Sequence, residues 1–109
     1  MLQKKFRMNK KANFKKVFAY GRSYTSKHVV IYIFRGQPVK YGIIASKKIG
    51  NAVKRNRAKR LLREIIRFNF SRLTEDCQMI FIARWGINGA SYQEVERSVL
   101  YIWRKAGIL

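Results

Sequence analysis

The sequence predicts an α+β domain in which helices pack on one mixed sheet. Three observations lead there. The apolar periodicity runs helix, strands, helix, strand, helix. Hydrophobic residues fill 48% of the 109 positions, enough for one core in a chain of single-domain length. No repeat, low-complexity segment or linker divides the chain, so residues 1–109 read as one domain.

The elements follow in order. "NFKKVFAY" reads as a short helix, with Asn13 as its cap, Phe14, Val17 and Phe18 on one face, and Gly21 as its end. "SYTS", 23–26, reads as an additional short strand. "KHVVIYIFR", 27–35, is β-branched and aromatic and reads as a strand. Its alternation puts Val30, Tyr32 and Phe34 on one face and Ile31 and Ile33 on the other. "KYGIIAS", 40–46, is expected to pair with it across the turn at Gly36–Pro38. Gly50 and Asn51 then break the pattern, Asn51 as a helix cap. A long helix begins near Ala52 with Ala58, Leu61, Leu62, Ile65 and Ile66 as its apolar stripe. "CQMIFIAR", 77–84, reads as a further strand. In the last helix Ser91 and Glu94 match a capping box, and Gly107 suits a C-terminal stop.

Charge is the strongest feature. The chain carries 25 Lys and Arg against 5 Asp and Glu, a formal net charge of +20. Such an excess works against the compact state by self-repulsion, and a polyanionic partner accounts for it. It is also uneven: residues 1–63 hold 19 cations and no acid, whereas residues 64–109 hold 6 cations and 5 acids. One part of the chain meets the anion, and the rest completes the fold.

The cations concentrate in "SKKIGNAVKRNRAKRLLREIIR", 46–67, with nine Lys and Arg and one acid, Glu64. At about 100° per residue, Asn56, Arg60, Arg63 and Arg67 form one stripe opposite the apolar one, flanked by Arg57 and Lys59. A solvated face normally mixes signs, because opposite charges at i, i+4 help and like charges hurt. This face barely mixes. Arg, the planar bidentate phosphate ligand, dominates its centre. Lys47, Lys48, Lys54 and Arg55 crowd the helix start, where cations disfavour an isolated helix and a bound phosphate would reverse the effect.

Other signals exclude. The single Cys77 forms neither an intramolecular disulfide nor a thiolate cluster, reads as buried structure and suits a reducing compartment. No apolar run approaches a membrane span, and the basic stretch "MLQKKFRMNKK" is followed by no signal-peptide core, so a cytoplasmic protein without membrane contact is expected. His28 stands alone and reads as a surface or hydrogen-bonded histidine. Trp85 and Trp103 read as packing residues. Phe14 and Phe18 suit core packing and also the stacking of unpaired bases, as does Tyr32. The five acids make no recognisable two-metal set, and one histidine is too few for an acid–base pair, so the polypeptide alone is not expected to cut RNA.

The stretch "SKKIGNAVKRNRAKRLLRE", with its Arg-Asn-Arg core at Arg55, Asn56 and Arg57, resembles the signature of the bacterial ribonuclease P protein subunit. "NFKKVFAYGRSY", "YGIIASKK" and "MIFIARWG" extend the resemblance over almost the whole chain. One departure is Ala58, where the family usually has a larger aliphatic. The resemblance implies an αβββαβα two-layer sandwich with a mixed central sheet and a left-handed βαβ crossover. It implies a binding subunit of an endoribonuclease, whose holoenzyme removes the 5′ leader of precursor tRNA while the RNA subunit carries the catalytic centre. Carried onto this sequence, contacts to that RNA fall on Lys47, Lys48, Asn51, Arg55, Asn56, Arg57, Lys59 and Arg60. The basic stripe extends them to Arg63 and Arg67. The leader falls on Phe14, Phe18, Val30 and Tyr32. The implied partners are ribonuclease P RNA and precursor tRNA, with no further protein required. No cofactor is expected on the polypeptide, and Mg²⁺ would serve the holoenzyme, held mainly by RNA.

Three other classes share some of these features. A structural RNA-binding protein such as a ribosomal protein would share the charge and size but ignore a 5′ extension on tRNA. A DNA-binding protein is disfavoured by the absence of dimerisation heptads or helix-turn-helix spacing. An independently acting nuclease lacks the residues just considered.

Overall fold

The computed structural model describes residues 4–109; the first three residues of the basic N-terminal stretch lie outside it. Helix α1 spans Lys11–Tyr20, strands β1, β2 and β3 span Arg22–Thr25, Val29–Arg35 and Lys40–Ile44, helix α2 spans Ala52–Asn69, strand β4 spans Cys77–Ala83, and helix α3 spans Tyr92–Lys105. The sheet order is β1-β2-β4-β3. β1 with β2 and β2 with β4 are antiparallel, while β3 with β4 is parallel and joined through α2. The mixed sheet of the α+β expectation is therefore present.

The expected pairing of β3 with β2 across Gly36–Pro38 does not form. β4 lies between them, with Tyr32 opposite Ile80 on one side and Gly42 opposite Ile80 on the other. The reason is burial. In β4, Cys77, Met79, Ile80, Phe81 and Ala83 are all buried, on both faces, and a strand apolar on both faces belongs in the centre of a sheet. The turn itself is tied to the entry of β4, where the Gly36 N–H donates to the Asp76 carbonyl at 3.2 Å.

The alternation read in β2 sorts the core. Val29, Ile31 and Ile33 face α2 and α3 and join the main cluster, with Leu62, Ile65 and Ile66 of α2 and Val99, Ile102 and Trp103 of α3. Phe81 packs edge-on against Trp103 at 6.5 Å between centroids. Sheet, α2 and α3 make the two-layer sandwich. Tyr32 and Phe34 face the other way, with Val17, Phe14 and Ile80, where α1 covers part of the opposite face.

α2 holds despite its charge. Leu62, Ile65 and Ile66 are wholly buried, and burying such side chains stabilises by about 1.5–3 kcal/mol each. Like-charged pairs such as Arg55/Lys59 and Lys59/Arg63 oppose the helix by only about 0.2–0.5 kcal/mol each. Core burial therefore decides the helix, and the basic face is carried at small cost. Ala58, the departure from the family pattern, is 1% exposed and belongs to the same core.

The termini of the helices follow sequence with one exception. Asn51 Oδ1 accepts from the Lys54 N–H at 3.0 Å, capping α2. Ser91 and Glu94 form the complete capping box of α3. Gly107, at φ 77°, closes α3 as a Schellman motif, its N–H on the Arg104 carbonyl and that of Ile108 on the Trp103 carbonyl. α1 differs: it begins at Lys11, so Asn13 lies inside it, and Lys10 at the cap offers no side-chain hydrogen bond. Lys10 and Lys11 donate but cannot accept, so nothing in the sequence marks that start.

Candidate RNA interface

Of the acidic side chains, Glu75, Glu94 and Glu96 are occupied away from the basic stretch. Glu75 takes two hydrogen bonds from Arg35, at 2.7 and 2.8 Å, which hold its carboxyl below the usual range. Glu94 is lowered likewise by its capping bonds with Ser91. Glu96 accepts from Asn69 and Tyr92. Only Glu64 lies within the basic helix, where it pairs with Arg67 at 3.0 Å. That pair is over a third exposed and contributes little to stability. The positive field of α2 is therefore almost unopposed.

The predicted cations divide into two groups by what they touch. Lys47, Lys48, Lys59, Arg60 and Arg63 make no side-chain hydrogen bond or ion pair among the described residues. Asn56, Lys59, Arg60 and Arg63 line one open groove of about 590 Å³, with Glu64 at its side. Lys47 and Lys48 stand exposed on the turn before α2. These are free donors for phosphate.

The other group builds the surface. Arg55 Nη1 donates to the Gly50 carbonyl at 2.8 Å, and Gly50 turns the chain at φ 137°. Asn51 spends its side-chain carbonyl on the cap. Arg57 reaches across to the segment between β4 and α3, donating to the carbonyls of Ile87 at 3.2 Å and Ala90 at 2.7 Å. Asn88 Nδ2 ties the same segment to the Ile49 carbonyl at 2.8 Å. Arg67 lies over the exposed ring of Phe68, 4.3 Å from its centroid. Arg57 thus clamps a loop to the helix, a duty that spacing alone did not reveal.

On the other face of the sheet, Phe18 is 41% exposed and meets Tyr32 edge-on at 4.8 Å between centroids. Val30 lies on the same face and is half-buried. Phe14 is deeper, its ring packed over Gly42, where a Cβ would lie 2.7 Å from Cε1. Core packing is thus the larger role of Phe14, and Phe18 with Tyr32 presents the open aromatic surface. Sequence reasoning missed Tyr20, 73% exposed, which extends this surface by packing on Phe34 at 5.9 Å. The signal was available, since Phe34 shares the face of Tyr32 and the chain turns back at Gly21.

The two faces meet beside β3. Arg63 of α2 and Phe14 of α1 line one small cleft together with Arg7, Met8 and Ile43. The edge of β3 is also where Arg7 bridges to Tyr41.

Three lone residues resolve plainly. His28 is buried and hydrogen-bonded, Nδ1 lying 2.6 Å from Ser98 Oγ, and burial lowers its pKa. Cys77 is buried and free, and burial pushes its thiol up to about 12. Trp103 is wholly buried, as expected. Trp85 is a correction: it is 65% exposed rather than packed. It opens the short turn Trp85–Ile87, whose Ile87 fills the core in its place. Among the described residues no three His, Cys, Asp or Glu side chains gather as a metal site, and no helix is long and apolar enough to cross a membrane.

Fold and site together define a small basic α+β protein built to bind RNA, with one cationic helix face and one aromatic sheet face. The chain belongs to the ribonuclease P protein family, whose model, described as Ribonuclease P, matches residues 2–107. It is 35% identical to the ribonuclease P protein component of Clostridium novyi, covering 98% of each chain. It is 38% identical to that of Dictyoglomus turgidum, covering 97% of this chain and 92% of the relative. Among solved structures it is similar to a Staphylococcus aureus RNase P protein mutant with defective mRNA degradation activity. That match has a TM-score of 0.87 at 28% identity over 97% of this chain and 92% of the other. The RNase P protein from Thermotoga maritima shares the fold, with a TM-score of 0.80 at 24% identity over 91% and 96%. These relatives support the main reading of the sequence and give no support to a ribosomal protein.

Proposed function

We propose that this chain is the protein subunit of ribonuclease P, acting over residues 1–109 as one RNA-binding domain. It binds the catalytic RNA through the α2 groove and the turn before it, and binds the 5′ leader of precursor tRNA on the aromatic face of the sheet. The holoenzyme hydrolyses the phosphodiester bond that joins leader to tRNA. The observation that carries this reading is the pairing of the α2 groove lined by Asn56, Lys59, Arg60 and Arg63 with the open Phe18–Tyr32 surface, Arg63 and Phe14 also lining one small cleft together. A ligand that is duplex-like and phosphate-rich at one end and single-stranded at the other fits that sequence of surfaces.

The division of labour follows from the side chains. The five acids are mostly committed to the fold, so no chemical step is routed through the polypeptide. Mg²⁺ would be held mainly by RNA in the holoenzyme. The cations of α2 lower the repulsion between catalytic RNA and substrate phosphates, so less free Mg²⁺ is needed to bring them together. Cytoplasm is the compartment this reading implies, and the buried, unpaired Cys77 suits its reducing conditions.

The test is the affinity of the reconstituted holoenzyme for precursor tRNA with a leader and for mature tRNA without one. Adding this chain to ribonuclease P RNA is expected to tighten precursor binding at least about tenfold more than mature tRNA binding, one or two stacked bases' worth. Equal tightening of both would remove the leader role.

A further inference from the structure

We infer that Trp85 is a stacking platform for an unpaired base of the RNA subunit, a contact distinct from the phosphate groove and the leader surface. The inference rests on the chain acting with ribonuclease P RNA as proposed above.

The ring is large, apolar and 65% exposed, in the most basic part of the molecule. Exposed tryptophan is uncommon without a partner, and it is the side chain with the broadest face for a base. Lys54 Nζ lies 5.9 Å from the ring centroid as a cation–π contact. Lys54 can lie back in this way because Gly50 has no side chain: a Cβ there would sit 2.7 Å from Lys54 Cδ. Val53, beside it on the first turn of α2, is 77% exposed.

The platform is also rigid. Trp85 opens a turn fixed to α2 by Arg57, through the carbonyls of Ile87 and Ala90, and to the turn before α2 by Asn88 on the Ile49 carbonyl. Gly86 seats that turn against the Lys27 carbonyl, which a Cβ would approach to 2.8 Å. An aromatic ring held in place by such clamps, with a cation beside it, loses little freedom when a base stacks on it. The clamps run to α2 and the turn before it, both assigned to the RNA subunit, and Trp85 is absent from the Phe18–Tyr32 surface. The base is therefore assigned to the RNA subunit rather than the leader.

Trp85→Ala and Trp85→Phe are compared with the parent chain, first by thermal melting. Both should melt close to the parent, because the ring is 65% exposed. Binding to a bacterial ribonuclease P RNA, with no tRNA present, is then measured across salt concentrations. Trp85→Ala should weaken binding about fivefold with an unchanged salt slope, since no charge is lost, and Trp85→Phe should restore most of it. The fluorescence of Trp85, taken as parent minus Trp85→Phe, should fall on adding that RNA alone. Equal affinity of Trp85→Ala and parent would overturn the inference, as would quenching that requires leader-bearing precursor. The parent's binding, read in the same titration, keeps this separate from the proposed function: a parent that does not bind the RNA sinks that reading, whereas a parent that binds as well as Trp85→Ala sinks only this one.

Discussion

Replacing Arg60 and Arg63 together by alanine is expected to weaken binding to ribonuclease P RNA by about a hundredfold near 0.1 M salt. The estimate takes about 1.5 kcal/mol for each charge-assisted contact, at the low end of its range. The slope of log affinity against log salt should become shallower by roughly 1.4–1.8, about 0.7–0.9 for each phosphate no longer neutralised. The fold should be unaffected, because neither guanidinium makes a hydrogen bond or ion pair among the described residues and both line the open groove. The variant also loses like-charge repulsion along α2, so its melting temperature should stay level or rise slightly. A salt titration of RNA binding, with a thermal melt beside it, checks all three. An unchanged salt slope would mean that these two side chains face water.

Phe18→Ala is expected to act on a different ligand. It should weaken holoenzyme binding to precursor tRNA by about tenfold or more, and binding to mature tRNA by much less. Two terms add. A base that stacks on the ring loses about 1–3 kcal/mol, and Tyr32 loses the edge-on partner that orients it. The ring is 41% exposed, so removing it leaves no large cavity. Phe14→Ala is the contrast. That ring packs over Gly42 with Met8 beside it, and its loss should lower stability before it touches selectivity. Equal losses of precursor and mature tRNA with Phe18→Ala would assign the ring to packing.

Much of the fold could be read from local pattern. Asn51, Ser91, Glu94 and Gly107 have the expected roles because caps and stops depend on neighbours three or four residues away. The face assignment of Tyr32 and Ile31 held because strand alternation is also local. The position of β4 was not legible. Two strands on either side of a tight turn look like a hairpin, and only the competition for the doubly buried centre of the sheet places β4 between them. The start of α1 was hidden because its cap uses no side chain.

The site was legible as composition and less so as geometry. The basic stripe of α2 appears where helical spacing put it, and Lys59, Arg60 and Arg63 line an open groove with no side-chain bond among the described residues. That Arg57 turns back to carbonyls could not be read, because those carbonyls belong to Ile87 and Ala90, reached only through tertiary structure, whereas Arg55 reaches only five residues back to Gly50. Trp85 misled for a general reason. A tryptophan just after a buried strand is usually core, and its exposure depends on the short turn that sends Ile87 inward instead.

The most direct test is single-turnover cleavage of a precursor tRNA by a bacterial ribonuclease P RNA at low Mg²⁺, with and without this chain. Cleavage at the leader junction only when the chain is present is the predicted result. RNA that cleaves equally well without it, under conditions where the chain is bound, would contradict the account.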